Sequence, residues 1–327
     1  LLAQYINEER QVAAAKPFYI LAPMDDVTDV VFRDIIAQCA APDLFMTEFV
    51  NVDGLQSAGR TPTLNRLRKR ASEHTTIAQV WGKNPQNFLK SAQEIVEMGF
   101  AGIDINMGCP DKTVVKNGCC SAFILPENRN LACEVIAAVK EGVAGRIPVS
   151  VKTRLGFGEV DYSWHELLLQ QKVNMLTIHA RTRKEMSKVP ADWSKLEPIV
   201  ALRNSLSPDT LLVGNGDVLS RSEGDALAKA HGLDGVMIGR GIFSDPYVFA
   251  HQSPWESMTA QQKIALYKKQ VELFAAEWPN GEKKFDTLKR FAKVYVAGFD
   301  GASDVRVAIM ECKTTTELIG VLAQHTK

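Results

Sequence analysis

Three observations predict an α/β fold, a (β/α)8 TIM barrel followed by a small C-terminal helical domain. Short β-branched or apolar runs recur from residue 18 to about 240, longer amphipathic stretches separate them, and the strand signal stops after residue 250. Eight runs read as strands: 18–22, 44–48, 76–80, 102–106, 147–152, 175–179, 211–214 and 235–238. Between them, residues 87–98 carry Phe88, Ile95 and Met98 at a helical period, and residues 130–143 carry Leu131, Val135, Ile136 and Val139. The same alternation would also suit an open doubly wound sheet, but eight repeats favour closure.

The segment after each strand strengthens the barrel reading. The first strand runs into Pro23-Met24-Asp25-Asp26, the second ends at Glu48, and the third holds Gln79 before Trp81-Gly82. The fourth ends Asp104-Ile105-Asn106 and opens into Met107-Gly108-Cys109-Pro110; the fifth ends at Lys152 with Arg154 just beyond. The sixth ends at His179 with Arg181 following, the seventh opens into Gly214-Asn215-Gly216-Asp217, and the eighth into Gly239-Arg240-Gly241. Polar and glycine-rich chemistry thus gathers at the C-terminal strand ends, where a barrel carries its active site. Beyond a linker at 251–259, three sets of residues recur at spacings of 3 and 4, and predict three amphipathic helices. They are Ile264, Tyr267, Val271, Phe274 and Trp278; Phe285, Leu288, Phe291, Ala292, Tyr295 and Phe299; and Val305, Ala308, Ile309 and Cys312. The expected domains are an N-terminal extension at 1–17, a barrel at 18–250 and a helical domain at 260–327.

The 38 Lys+Arg balance 38 Asp+Glu, which excludes a uniformly basic coat for nucleic acid but leaves room for local patches. One patch is Arg60, Arg66, Arg68, Lys69 and Arg70; another is Arg181, Arg183, Lys184 and Lys188; a third is Lys283, Lys284, Lys289, Arg290 and Lys293. No segment approaches the roughly 18 apolar residues of a membrane span. The apolar run 12–15 is too short for a secretory core of about 7–15 residues, and the first residue is not Met. Six cysteines without a C-x-x-C pair fit a reducing cytoplasm. The gap from Cys109 to Cys119-Cys120 matches no zinc spacing, so no metal is expected and those two read as packing residues.

The glycines after the seventh and eighth strands stand where barrels commonly bind phosphate, with Arg240 as a charged contact, so a phosphorylated cofactor is expected. Each run alone would read as a tight turn; their pairing decides otherwise. Gln79, Lys152 and His179 would face inward over that cofactor; singly, Lys152 would suit a rim salt bridge and His179 a core hydrogen bond. A lysine beside a flavin's ring carbonyls would stabilise its reduced anion. Cys109 directly follows the fourth strand. A free thiol with a pKa near ~8.5 is mostly protonated at neutral pH and can act as a general acid; a nucleophile would want a partner that lowers it.

At these residues the sequence resembles the tRNA-dihydrouridine synthases. The resembling segments are Ala22-Pro23-Met24 with Thr28-Asp29 and Phe32-Arg33, Asp104-Ile105-Asn106-Met107-Gly108-Cys109-Pro110, and Val151-Lys152-Thr153-Arg154-Leu155-Gly156. Thr177-Ile178-His179-Ala180-Arg181-Thr182, Gly214-Asn215-Gly216-Asp217 and Ile238-Gly239-Arg240-Gly241 continue the series to residue 250, and Leu288-Lys289-Arg290 with Gly298 and Arg306 resembles the family's helical tail. The resemblance implies FMN in the barrel, NADPH as reductant, tRNA as partner and reduction of uridine to 5,6-dihydrouridine, with no protein partner implied. It implies Cys109 as the proton donor, and Pro23, Met24, Asp25, Gln79, Lys152, His179, Asn215, Gly216, Asp217, Gly239 and Arg240 as cofactor contacts. Asn106, Arg154 and Arg181 are candidates for holding the substrate. Two positions depart from the family pattern: Asp26 stands where Gly is common, and Cys119-Cys120-Ser121 replaces a Gly/Ala run. Competing readings are an FMN barrel acting on a free pyrimidine or enone, like dihydroorotate dehydrogenase or old yellow enzyme; a non-catalytic RNA-binding barrel; and an aldolase-like barrel using Lys152 as a Schiff-base amine.

Overall fold

In a computed structural model, residues 16–70 and 75–325 are described; nearly all of the expected N-terminal extension lies outside them. The chain forms a closed parallel barrel. The strands are β1 (Phe18–Leu21), β2 (Leu44–Met46), β3 (Val50–Asn51), β4 (Thr76–Trp81), β5 (Gly102–Asn106), β6 (Val149–Arg154), β7 (Met175–His179), β8 (Leu211–Asn215) and β9 (Gly235–Ile238). Each barrel strand pairs with the next, β2 with β4, and β9 returns to β1 through Phe18↔Gly235 to Leu21↔Ile238, so no edge is left open. The two-residue β3 is an addition to the eight predicted strands; it lies on the C-terminal end of β4 through Val50↔Val80 and Asn51↔Trp81.

Several strand boundaries differ from expectation by one or more residues, two of them for evident local reasons. The second strand stops at Met46 rather than Glu48 because the Thr47 hydroxyl takes over: it donates to the Glu48 carbonyl at 2.7 Å and accepts the Gln79 N–H at 3.1 Å. The fifth predicted strand begins at Val149 rather than 147, since Pro148 has no N–H for a ladder; its carbonyl still accepts from Ile103. The helices that follow the strands include α1 (Val30–Ala40), α2 (Val52–Leu55), α3 (Arg60–Leu64), α4 (Pro85–Glu97), α5 (Lys112–Lys116), α6 (Arg129–Val143), α7 (Tyr162–Gln170), α8 (Glu197–Leu206) and α9 (Arg221–His231). Their starts are written in the sequence: Asp29, Asn84, Asp161 and Ser220 each accept a first-turn N–H.

The pleat sorts side chains into two layers. Outward residues such as Leu21, Ile103, Ile105, Val151, Ile178 and Ile238 join one large core with the helices, whereas Phe18, Ile20, Leu44, Met46, Ile77, Met175, Leu211, Val213 and Met237 fill the lower barrel. Each fully buried side chain of this size contributes about 1.5–3 kcal/mol.

The tail has four helices rather than three: α10 (Ala260–Glu277), α11 (Ala292–Tyr295), α12 (Ala302–Glu311) and α13 (Thr315–Ala323), with a 3-10 segment at Phe285–Phe291. The fourth, α13, lies beyond the last predicted set, which ends at Cys312, and Thr314 caps it by accepting from Glu317. A capping box of Thr259 and Gln262 starts α10. Tyr267 stacks on Tyr295 at 5.1 Å within the tail, and Phe32 stacks on Phe291 at 4.9 Å between barrel and tail.

Candidate active site

The inward positions nearest the C-terminal strand ends are polar: Gln79, Asp104, Asn106, Ser150, Lys152, Thr177, His179 and Asn215, in register across β4 to β8. Four of them form a linked chain. Ser150 donates to Asp104 at 2.6 Å, Gln79 donates to the other Asp104 oxygen at 2.7 Å, and Asn106 donates to the Gln79 carbonyl oxygen at 2.9 Å. Burial raises the Asp104 carboxyl to about 6 even against the two hydrogen bonds that favour its charge. Above this chain lies a cavity of about 560 Å³ whose wall includes Pro23, Met24, Gln79, Asn106, Cys109, Lys152, Arg154, His179, Asn215, Gly216, Asp217, Gly239 and Arg240.

Asn106 ties the strand end to the loop after it. Its side-chain oxygen accepts the N–H groups of Gly108 at 3.1 Å and Cys109 at 3.0 Å. Arg154 holds the same loop from the next strand, donating through Nε to the Gly108 carbonyl at 2.7 Å and through Nη1 to Thr182 and Met186 carbonyls. Close packing leaves no space for a larger residue at 108, where a Cβ would lie 3.2 Å from Thr153 backbone. Cys109 is therefore presented by three neighbours on two strands.

The isolated thiol expected from sequence has a partner. Cys120, read as a packing residue, hydrogen-bonds Cys109, and together with the Asp111 N–H it outweighs burial to bring the Cys109 thiol down to about 7. The Cys120 thiol goes the other way, pushed well above its ordinary value by burial. Both departures from the family pattern sit in left-handed backbone, Asp26 at φ 55° and Cys120 at φ 54°, the region that favours glycine. Asp26 is held there by its N–H donating to Glu48 at 2.7 Å.

Lys152 is half-buried at the cavity floor with no hydrogen bond or ion pair to another described residue, and burial with the Arg154 charge brings it down to about 8. His179 accepts from Arg181 Nη1 at 3.0 Å; burial and the nearby Lys152, Arg154, Arg181 and Arg240 hold it far below its ordinary value, so the ring is neutral. Asp217, at φ 57°, accepts from Arg240 at 2.9 Å and the Ala191 N–H at 2.9 Å and pairs with Arg181. The first N–H groups of the 3-10 turn Arg240–Phe243 have no intrahelical acceptor, and a Cβ on Gly239 would stand against Ala22 and Met24 at the cavity wall. The cavity can thus take an elongated polar ligand with an anion near residues 239–241.

Two sequence candidates lie outside that wall. Asp25 pairs with Arg66 and lines a second cavity, and Arg181 is buried behind His179 and Asp217 with its Nε donated to Val189. The second cavity, about 820 Å³, adjoins the first; Phe49 and Cys109 line both. Its wall joins residues remote in sequence, among them Asn51, Arg66, Trp81, Asp111, Cys120, Trp278 and Lys283. Phe49 went unnoticed because one aromatic between two strands carries no pattern. Here Glu48, 1% exposed, takes Lys283 at 2.7 Å, and Lys283 also reaches Asp29 at 3.2 Å. The carboxylates of Asp25, Asp26 and Glu48 cluster closely, but Arg66 and Lys283 already supply the cations.

The first basic patch is spent on structure: Arg60 pairs with Glu94, Arg66 with Asp25, Arg68 and Arg70 with Glu277, and Lys69 donates to the Gly99 carbonyl. Lys184, Lys188, Lys284 and Lys293 are exposed and make no ion pair with a described residue.

A family profile described as dihydrouridine synthase (Dus) matches residues 20–327. A probable tRNA-dihydrouridine synthase of Staphylococcus aureus (strain Mu50 / ATCC 700699) is 43% identical over 310 residues, 94% of this chain and 92% of that protein. Probable tRNA-dihydrouridine synthase 2 of Bacillus subtilis (strain 168) is 42% identical over 94% of this chain and 93% of its own. Among solved structures, histamine dehydrogenase from Rhizobium sp. 4-9 matches with a TM-score of 0.54 at 13% identity, over 78% of this chain and 48% of that one. A 2-naphthoyl-CoA reductase matches with a TM-score of 0.54 at 10% identity, over 71% and 49%. The chain spans about half the length of those two structures, and at such identities they share the barrel fold alone.

Proposed function

Because this chain belongs to the dihydrouridine synthase family, we propose that it reduces uridine in tRNA to 5,6-dihydrouridine in the cytoplasm, using FMN with NADPH as reductant. The observation that carries the reading is the place of Cys109 on the wall common to two adjoining cavities, one suited to a phosphorylated cofactor and the other open toward the tail.

The residues present fit FMN. Lys152 is a cavity-facing cation without a partner among the described residues, suited to an electron-rich ring carbonyl, and the Gly239–Gly241 turn with Arg240 suits a phosphate. Pro23, Met24, Gln79, His179, Asn215, Gly216 and Asp217 would complete the holding set. When bound, the reduced flavin supplies the hydride that goes to C6 of the uracil.

Cys109 gives the proton to C5. Asn106 and Arg154 keep its loop in place, and the hydrogen bond from Cys120 stabilises the thiolate left behind. Acid catalysis of this kind contributes typically about 10²–10⁴-fold. Asn106 is largely occupied by the Gln79 and loop contacts, and Arg181 by its own partners, so both act as positioning residues; Asp25 belongs to the second cavity. The target base must leave the tRNA stack to reach this depth, at a cost of a few kcal/mol. Lys184, Lys188, Lys284 and Lys293 are placed to meet the phosphate backbone, and the tail contributes to the grip on tRNA.

Cys109→Ala should keep its flavin and its NADPH oxidation while dihydrouridine formation collapses by about 10²-fold or more. Undiminished uridine reduction by that variant removes the proton-donor role. Reduction of free uracil as fast as tRNA would favour the free-pyrimidine alternative.

A further inference from the structure

The proposed reaction uses Cys120 only to stabilise the Cys109 thiolate and leaves the chemistry of its own thiol unassigned. Cys120 occupies left-handed backbone at φ 54°, where a residue with a Cβ is disfavoured. It lies in the 3-10 turn Cys120–Ile124, which is fastened to Cys109: Ser121 donates to the Cys109 carbonyl through its hydroxyl at 2.8 Å and through its N–H at 3.4 Å. Cys109 and Cys120 line the same cavity, near enough for each thiol to shift the other's proton affinity. Cys119, the adjacent residue, lines neither this cavity nor the first. Two thiols this close, one buried and one half-exposed to a solvent-connected chamber, are the arrangement of a reactive cysteine with a resolving partner.

We propose that Cys109 and Cys120 form a reversible oxidation site, at which a hydroperoxide converts the two thiols into an intramolecular disulfide. The Cys109 thiolate attacks the terminal peroxide oxygen; the O–O bond breaks, and the departing oxygen takes a proton as water or alcohol. Cys109 is then a sulfenic acid. The Cys120 sulfur displaces its hydroxyl, giving its own proton to the leaving hydroxide, and a second product, water, departs. The peroxide gains two electrons and the thiol pair loses two, so the step closes without a further reductant or oxidant. The sulfurs must approach to about 2.05 Å, within a turn already tied to the Cys109 carbonyl by Ser121. The lowered Cys109 thiol supplies a large thiolate fraction at neutral pH, which favours the first step. The disulfide would spare Cys109 from irreversible sulfinic oxidation and would be reopened by a dithiol. This inference does not depend on the reductase reading; it requires only the two thiols and access to one of them.

The test is mass spectrometry of the full-length holoprotein treated with hydrogen peroxide. The expected product is lighter by about 2 Da for the two hydrogens lost, maps to a Cys109–Cys120 crosslink, and returns to the starting mass with dithiothreitol. Cys120→Gly, which suits the left-handed backbone, should instead accumulate Cys109 sulfinate, heavier by about 32 Da and unaffected by dithiothreitol. Cys120→Ala serves as the second variant should the glycine loosen the turn. Sulfinate formation on Cys109 in the unsubstituted protein at the variants' rate overturns the proposal, as does a crosslink to Cys119 or between molecules.

Discussion

Among single side chains, Asn106 joins the barrel's polar interior to the loop that carries the thiol. One amide joins the buried Gln79–Asp104 pair to the backbone that presents Cys109, so its removal frees two N–H groups and a carbonyl oxygen at once. Asn106→Ala should slow uridine reduction by about 10²-fold through misplacement of the thiol, measured in single turnovers with prereduced enzyme; an unchanged rate would show that the loop holds itself. The thiol also sets a pH dependence. A general acid works only while protonated, and Cys109 is lowered to about 7. The rate of the uridine step should therefore be level in mild acid and fall as pH rises through about 7, approaching tenfold per pH unit. Flavin reduction by the proposed NADPH, a step with no role for Cys109, should lack that limb.

Between elements, the close approach of α4 and α6 shows how tightly the outer ring is packed. A Cβ on Gly142 would lie 2.5 Å from the Leu89 carbonyl and 2.8 Å from Ala92 Cβ, contacts that real atoms do not make. Gly142→Ala should destabilise the protein by about 1–3 kcal/mol despite alanine's better helix propensity, read from urea unfolding. A neutral or stabilising result would mean that the two helices can separate at little cost.

Across the whole molecule, the barrel and the tail meet at a buried ionic contact. Lys283 comes from the segment after α10 and enters between Asp29, the cap of α1, and Glu48, beyond the end of β2. Burial holds the Glu48 carboxyl above its ordinary value although Lys283 opposes the shift. Lys283→Met leaves a buried carboxylate with Arg66 as its remaining ion-pair partner among the described residues and should cost about 3 kcal/mol near neutral pH. The sign with pH follows: an acid whose folded pKa is raised binds its proton more readily when folded, so stability improves as pH falls through that folded value. The variant raises Glu48 further, and its deficit should shrink in mild acid; a deficit constant with pH would place the cost elsewhere. At the same scale, tRNA affinity should fall steeply with salt if the exposed Lys184, Lys188, Lys284 and Lys293 meet phosphate. Replacing all four with Gln should flatten that slope, while replacing Lys69, already spent on the Gly99 carbonyl, should not.

The barrel was legible in the sequence because each strand is a local run bounded by local punctuation: a proline before Val149, glycines after β8 and β9, capping residues before the helices. The inward polar set was legible for the same reason, since a strand's pleat fixes which alternate residues share a face whatever surrounds them. Pairing was not. Whether a charge is available or consumed depends on what folds against it, so the Arg60–Arg70 patch read as a surface while Glu94, Asp25 and Glu277 neutralise it from elsewhere in the chain. The same holds for Cys120, which stands eleven positions after Cys109 and which a turn of backbone brings to the same cavity. Local periodicity is a property of the chain and survives in one dimension. Partnership is a property of space, and only the closed barrel with its docked tail decided it.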